Sequence, residues 1–313
     1  RQRAGAVALG LVVLIVVLIV VASSGGHSGR NHPALSPNVS ASASTGGTRH
    51  VRGAHTGRGS TVAVPSTGTE VLHARGLSVP ILMYHVIAPP PAGAPYPGLY
   101  VPPAEFAGQM HALADDGWHA ITLDQLDAYW KRDAPLPKGK PIVITFDNGY
   151  LSQYTQALPV LQRLGWDAVE NLQLTGLPPS EGGLSERQVR ALVSAGWELD
   201  TQGFSHADLT NLTASELNYQ VAVARTVIQR RYHVPANWFC YPSGQYDASV
   251  VAAVRAAGYL GSTTVVPGWA GPAQDPYRLE RLRVLGGTSP QGLLSLIDGT
   301  RANGQPPSSY VTS

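Results

Sequence analysis

Apolar and polar positions divide the chain into three stretches. Residues 4–22 are nineteen uncharged positions, mostly Val, Leu and Ile, close to the ~20 needed to span a bilayer. Residues 23–75 are rich in Ser, Gly, Thr, His and Arg and show no hydrophobic period, as a flexible tether does. From Leu77 onward, short apolar runs alternate with segments of helical spacing. The runs 79–85, 142–146, 168–174, 197–202 and 237–241 read as buried strands, with shorter ones at 119–123, 262–266 and 281–285. Helical patterns fall at 103–116, where Phe106, Met110 and Leu113 share a face, and at 126–130, 154–164, 185–196, 214–232, 247–257 and 291–298. Ser185 and Gln188 predict a capping box, Thr213 or Ser215 opens the longest helix, and Gly165 and Gly258 stop two others.

Strands alternating with helices imply βα units around a parallel sheet. They suit a distorted, incomplete (β/α) barrel better than a complete eightfold one. A doubly wound open sheet is the alternative, but no Gly-rich phosphate loop follows any strand. The predicted organisation is a cytoplasmic stub (1–3), a transmembrane anchor (4–22), a linker (23–75), an α/β domain (76–300) and a polar tail (301–313). Arg1 and Arg3 precede the apolar run, so the positive-inside rule places the domain on the extracytoplasmic side. The alternative is a signal peptide cleaved near Val20-Val21-Ala22, giving a secreted protein.

Charge and cysteine content narrow the classes. A net charge of +2 over 313 residues gives no electrostatic case for nucleic acid. Cys240 is the only cysteine, which excludes a disulfide framework and a Cys-based zinc site. Within an apolar strand, Cys240 reads as an inert buried thiol. His27, His32, His50, His55 and His73 lie in the tether and read as solvated side chains.

Candidate chemistry begins where the run 142–146 ends. Continuously apolar or β-branched, as a buried parallel strand is, it stops on Asp147, Asn148 and Gly149. In parallel α/β folds chemistry collects at the carboxyl ends of strands, which makes Asp147 a site candidate; the same pair also suits a cap on the following turn. His85 closes the first strand in the same way.

The stretch TFDNGY (145–150) resembles the TFDDGY signature of the polysaccharide deacetylases, the family 4 carbohydrate esterases. Four further segments resemble that family. VPILMYHVI (79–87) is similar to the opening of the bacterial subgroup that deacetylates poly-N-acetylglucosamine-type polymers. DTQGFSHADL (200–209) resembles a motif in which two His, four apart, hold a metal. FCYPSGQYD (239–247) resembles the segment lining the substrate groove, and LERLRV (279–284) resembles a late strand whose Arg orients the catalytic base. The resemblance implies a (β/α)7 barrel, Asp147 as base, His85 as general acid and Arg281 as the orienting residue. It implies Tyr241, Pro242 and Gly244 at the substrate, and a divalent, zinc-type metal at positions 148, 202 and 206. Only His206 keeps the family's residue there; Asn148 stands for Asp and Gln202 for His. Tyr150 and Phe204 flank those positions and read as groove aromatics on which a sugar ring can stack, while Tyr241 reads equally as core.

Amide hydrolysis needs a polarised carbonyl, an activated water and a protonated leaving amine. Base and acid are present, but a neutral Asn/Gln/His set is a poor zinc site. Asp200, two residues before Gln202, faces the same way by strand alternation and is a conceivable substitute. The chain is then suited to one of two functions: hydrolysis of acetyl groups on a cell-wall or extracellular glycan, or, as a metal-free relative, holding such a glycan without cleaving it. A purely structural wall protein is a distant third. The amides at 148 and 202 still donate and accept hydrogen bonds, as a groove meeting an N-acetyl group requires.

Overall fold

The computed structural model describes residues 76–303, apart from 176 and 178–181. The expected anchor, stub, linker and most of the polar tail lie outside them, and no helix among the described residues is long and apolar enough to cross a membrane.

In chain order the elements are β1 (Val79–Tyr84), α1 (Pro103–Asp115), β2 (Trp118–Ile121), α2 (Leu123–Arg132), β3 (Lys140–Asn148), α3 (Leu158–Leu164), β4 (Val169–Leu172), α4 (Glu186–Ser194), β5 (Glu198–Thr201), α5 (Ala214–Asn218), α6 (Ala224–Tyr232), β6 (Trp238–Cys240), α7 (Ala248–Ala256), β7 (Gly261–Thr263), β8 (Trp269–Ala270), β9 (Leu282–Arg283) and α8 (Pro290–Asn303). α1 buries Phe106, Met110 and Leu113, the predicted stripe, together with Gln109. Reciprocal capping boxes open α2 (Thr122–Gln125), α4 (Ser185–Gln188) and α5 (Thr213–Glu216), each satisfying two otherwise unpaired backbone donors. The expected helix 154–164 begins with a turn of π-helix over Gln153–Ala157. The expected helix 214–232 is broken by a second one over Tyr219–Val223, which separates α5 from α6.

One sheet carries all nine strands. Parallel pairing runs β7-β6-β5-β4-β3-β1, with β9 parallel beyond β1. β2 pairs with the first half of β3 and β4 with the second half, along one edge. The two-residue β8, antiparallel to the start of β1, was not foreseen; Pro267-Gly268 just before it masks so short a run. Leu279 and Arg281 bond through their main chains to Ser262, Thr264 and Val266, while β9 pairs with Leu82 and Met83. One short segment thus bridges both edges, and the sheet curls into a parallel half-barrel instead of lying open.

Alternation sorts the side chains. Ile142, Ile144 and Phe146 face the helices, in a cluster with Tyr84, Phe106 and Trp197. Phe146 stacks on Trp197 at 5.0 Å between centroids. Val143 faces the other way, into the curl, with Val79, Ile81, Val169, Trp238 and Leu279. Thr145 and Asp147 therefore point into the curl as well.

Candidate active site

Asp147 and Asn148 are the last residues of β3, within the strand and not in the turn after it. The register Tyr84↔Phe146 sets His85, one residue past β1, beside Asp147. His85 Nε2 stands 4.0 Å from Asp147 Oδ2. Gln153, buried on the first π-turn, donates to the backbone oxygens of both His85 (3.0 Å) and Asp147 (2.8 Å). A single amide thus fixes the two strand ends against each other.

Arg281 reaches Asp147 from the bridging segment. Its terminal nitrogens donate to Oδ1 and Oδ2 at 2.7 and 2.8 Å, the bidentate fork that guanidinium and carboxylate favour. Its other donors are occupied: Nε bonds Thr264 O at 2.8 Å and Nη1 bonds Thr145 Oγ1 at 3.0 Å. Asn171, the register partner of Asp147 on β4, donates to Oδ1 at 2.8 Å. The Cys240 thiol lies 3.5 Å from Asp147 Oδ2 and 3.3 Å from Arg281 Nη2. Cys240 is buried, as expected, and burial pushes its thiol up to about 12. It borders the charge pair as a neutral group.

These contacts set the proton affinities. Burial alone would raise Asp147, but the charge and hydrogen bonds of Arg281 outweigh it and hold the carboxyl well below the usual carboxylate range. Arg281 is correspondingly raised, the attraction of Asp147 exceeding the burial that opposes it. Burial pushes His85 down to about 4, with Arg281, Arg283 and His206 adding to the effect and Asp147 opposing it. At neutral pH the pair is a carboxylate beside a neutral imidazole.

The three positions implied for a metal are differently placed. Asn148 takes a left-handed φ of 81°, tolerated by Asn, and donates to Gln173 Oε1 at 2.9 Å. Gly149 follows at φ 93°, where a Cβ would come within 2.6 Å of Leu172 Cδ1. Gln202 is buried, and its Oε1 has no hydrogen-bond partner. His206 is exposed, and its Nε2 accepts a long 3.4 Å bond from Ser243 N. No group of three His, Cys, Asp or Glu able to hold a metal is found among the described residues. Asp200 offers no substitute: it is buried, accepts from Trp238 N at 2.8 Å, and is raised to about 7 by burial, with Asp124 adding to the effect. Asp147 is already committed to Arg281. One imidazole and two neutral amides do not fit a zinc-type ion.

The expected substrate residues divide. Phe204, in the loop after β5, and Tyr150, after β3, remain partly exposed. Tyr241 and Pro242 are instead buried: the Tyr241 ring packs with Phe239 and Tyr259, and its hydroxyl donates to Tyr277 O at 3.0 Å. Alternation along β6 forces this, because the groove-facing position there is Cys240. Gly244 stays near the surface at φ 70°, where a Cβ would come within 2.2 Å of Val265 Cγ2.

Sequence reading missed Asn171, Thr145, Gln153 and also Gln220, whose Oε1 accepts from Phe204 N and Ser205 N in the loop after β5. The polar pair Glu170-Asn171 inside an otherwise apolar strand was a signal for Asn171. Gln153 and Gln220 act through partners distant in sequence, and nothing local marks them. Glu170 faces the helices, fully buried, with neither oxygen partnered. Burial, with the charge of Asp147, raises it well above the ordinary carboxyl value.

The polysaccharide deacetylase family profile matches residues 135–261, which include β3, Asp147 and the 200–209 motif. YxkH of Bacillus subtilis (strain 168), classed with the polysaccharide deacetylases, is 30% identical over 211 residues, covering 67% of this chain and 73% of that protein. The poly-beta-1,6-N-acetyl-D-glucosamine N-deacetylase of Escherichia coli (strain K12) is 39% identical over 61 residues, or 20% of this chain and 9% of that one. The structure of the Streptococcus pyogenes deacetylase PplD, in complex with acetate, superposes with a TM-score of 0.65 at 24% identity, covering 70% of this chain and 98% of that one. Members of this family generally use a divalent metal and act on acetylated polysaccharides. With the matched strand end, the Asp147–Arg281 pair and the adjoining His85, these likenesses place the chain in the polysaccharide deacetylase family.

Proposed function

We propose that the domain removes N-acetyl groups from an amino-sugar polymer, with Asp147 and His85 facing the acetyl amide. The observation that carries this is the pairing of a carboxylate, oriented on both oxygens by Arg281, with an imidazole 4.0 Å away. Asp147 accepts the proton of the attacking water. His85, 4.0 Å from that carboxylate, is the acceptor in reach to which the proton passes on. His85 then delivers it to the leaving amine, and acetate and the free amine result. Arg281 and Asn171 keep Asp147 in one orientation throughout. No step is assigned to a metal, because the residues at 148, 202 and 206 do not fit one.

The test is acetate release from N-acetylglucosamine oligomers by the full chain. Asp147→Asn and His85→Ala are each expected to lower the rate by about 10²–10⁴-fold; an unchanged rate in either variant removes that residue from the mechanism. The neutral amides of Asn148 and Gln202 favour a second function, retention of the glycan without cleavage. Its outcome is oligomer binding with no acetate released by the unaltered chain.

Residues 4–22 and the preceding Arg1 and Arg3 support attachment to the cell membrane with the domain outside. The full chain is then expected to sediment with membranes and the domain to be digested by protease added to intact cells. A soluble product beginning near Ser23 overturns the anchor and indicates a cleaved signal.

A further inference from the structure

Beside the candidate site stands an aromatic pair that the acid–base chemistry of Asp147 and His85 does not use. Phe204 lies between Gln202 and His206 in the loop after β5. Its ring stacks on that of Tyr219, with centroids 4.2 Å apart and planes 18° from parallel. Tyr219 is 49% exposed, so the pair extends from the site loop to solvent.

The pair is held from both sides. Gln220, the next residue after Tyr219, accepts from Phe204 N and Ser205 N, each at 3.0 Å. Its amide nitrogen donates to Ser205 Oγ at 2.9 Å. From the opposite direction Thr175 donates to Phe204 O through its N (2.7 Å) and its Oγ1 (2.9 Å). Tyr219 and Gln220 open the π-turn over Tyr219–Val223, a departure from α-helix that recurs at functional sites. Here the turn presents successive residues for two tasks, one clamping the loop backbone and the other covering its ring.

We propose that Phe204 and Tyr219 form a second saccharide subsite, a stacking platform for the pyranose ring next along the polymer from the one whose acetyl group faces Asp147. The chemistry fits that ligand: the ring carbons of a pyranose present C–H groups of slight positive charge, and an aromatic face is negative. Phe204 sits in the same loop as Gln202 and His206, with Tyr219 covering its ring from the helix, so a polymer held at the site has the pair beside it. The assignment rests on the proposed action on a glycan, and its test keeps the two apart.

Calorimetry of the full chain with N-acetylglucosamine and with its oligomers supplies the test. Affinity is expected to rise from monosaccharide to oligomer. Tyr219→Ala should weaken oligomer binding by roughly three- to tenfold, the fold-change matching an aromatic stacking contact, with the loss confined to oligomers. Tyr219→Phe, which keeps the ring, should retain the length dependence, and Tyr219→Gln, a good helix former with a polar side chain, should lose it. Undiminished oligomer binding in both ring-less variants, or an equal loss for monosaccharide and oligomer, overturns the subsite alone. A wild-type chain that binds none of these sugars overturns the glycan reading and the subsite with it.

Discussion

Arg281 and Asp147, 134 residues apart in sequence, meet through two hydrogen bonds of 2.7 and 2.8 Å with both side chains out of solvent. Such a pair is costly to break from one side, because the survivor is left charged in a low-dielectric interior. Arg281→Met is expected to destabilise the domain by about 3–5 kcal/mol. Adding Asp147→Asn should recover a large part of the loss, although either change alone is destabilising. Urea unfolding of both single variants and the double variant measures the coupling, and additive effects would contradict it.

His85 gives the fold a pH signature. Its ordinary value is 6.5, and the folded protein lowers it to about 4. Between those values the unfolded chain takes up a proton that the folded domain refuses. Stability therefore falls as pH drops through that window, by about 3 kcal/mol in total for this group. His85→Asn should flatten the wild-type curve between pH ~6.5 and ~4, as thermal melts across the range would show. Identical slopes for the two proteins would count against a buried neutral imidazole.

Glu170 carries the opposite sign. Its folded value is raised, so its neutral form is favoured and stability is lost as pH rises above the ordinary carboxyl range. Glu170→Gln keeps the shape and cannot ionise. It is expected to match the wild type in acid and to exceed it at neutral and alkaline pH, with a higher Tm there. A variant less stable at pH ~8 would mean that the ionised carboxylate finds a partner.

The altered ligand positions make a third kind of prediction. Zinc titrated into the unaltered chain should bind weakly. Asn148→Asp with Gln202→His, beside His206, restores the carboxylate and two imidazoles that the family motif carries. That double variant should bind zinc far more tightly than either single variant, because ligands of one ion act together. The change gives up the Asn148–Gln173 contact, because Gln173 already donates its amide nitrogen to Thr175 O. Tight stoichiometric zinc in the unaltered chain would return it to the metal-dependent members of its family.

The parts of the site legible in the sequence are those on strand ends. A buried apolar run stopping at Asp147 predicted both the strand and its useful carboxylate. The motifs pointed to His85 and Arg281, and the structure brings both beside Asp147: His85 through the β1–β3 register, Arg281 from the segment just before β9. The buried supports were not legible. Asn171 contacts Asp147 across a strand pair, and Gln153 contacts it across a helix start; such contacts depend on tertiary approach, not on spacing along the chain. Tyr241 was open between groove and core, because motif membership does not say which face of a strand a residue takes; alternation gave the groove side to Cys240 and put Tyr241 in the core.

Both glutamines that clamp the site backbone, Gln153 and Gln220, ride on π-turns. A π-turn is an α-helix carrying one surplus residue. Deleting a single residue from Gln153–Ala157 or Tyr219–Val223 would heal the helix into regular geometry and rotate its earlier residues by about 100° relative to its later ones. The shortened chain would gain conventional hydrogen bonding and lose the clamp. In this scaffold the length of two helices, counted to the residue, fixes the candidate site as much as the side chains at its centre, and an alignment that closes those one-residue gaps would set clamped and unclamped relatives side by side as equals.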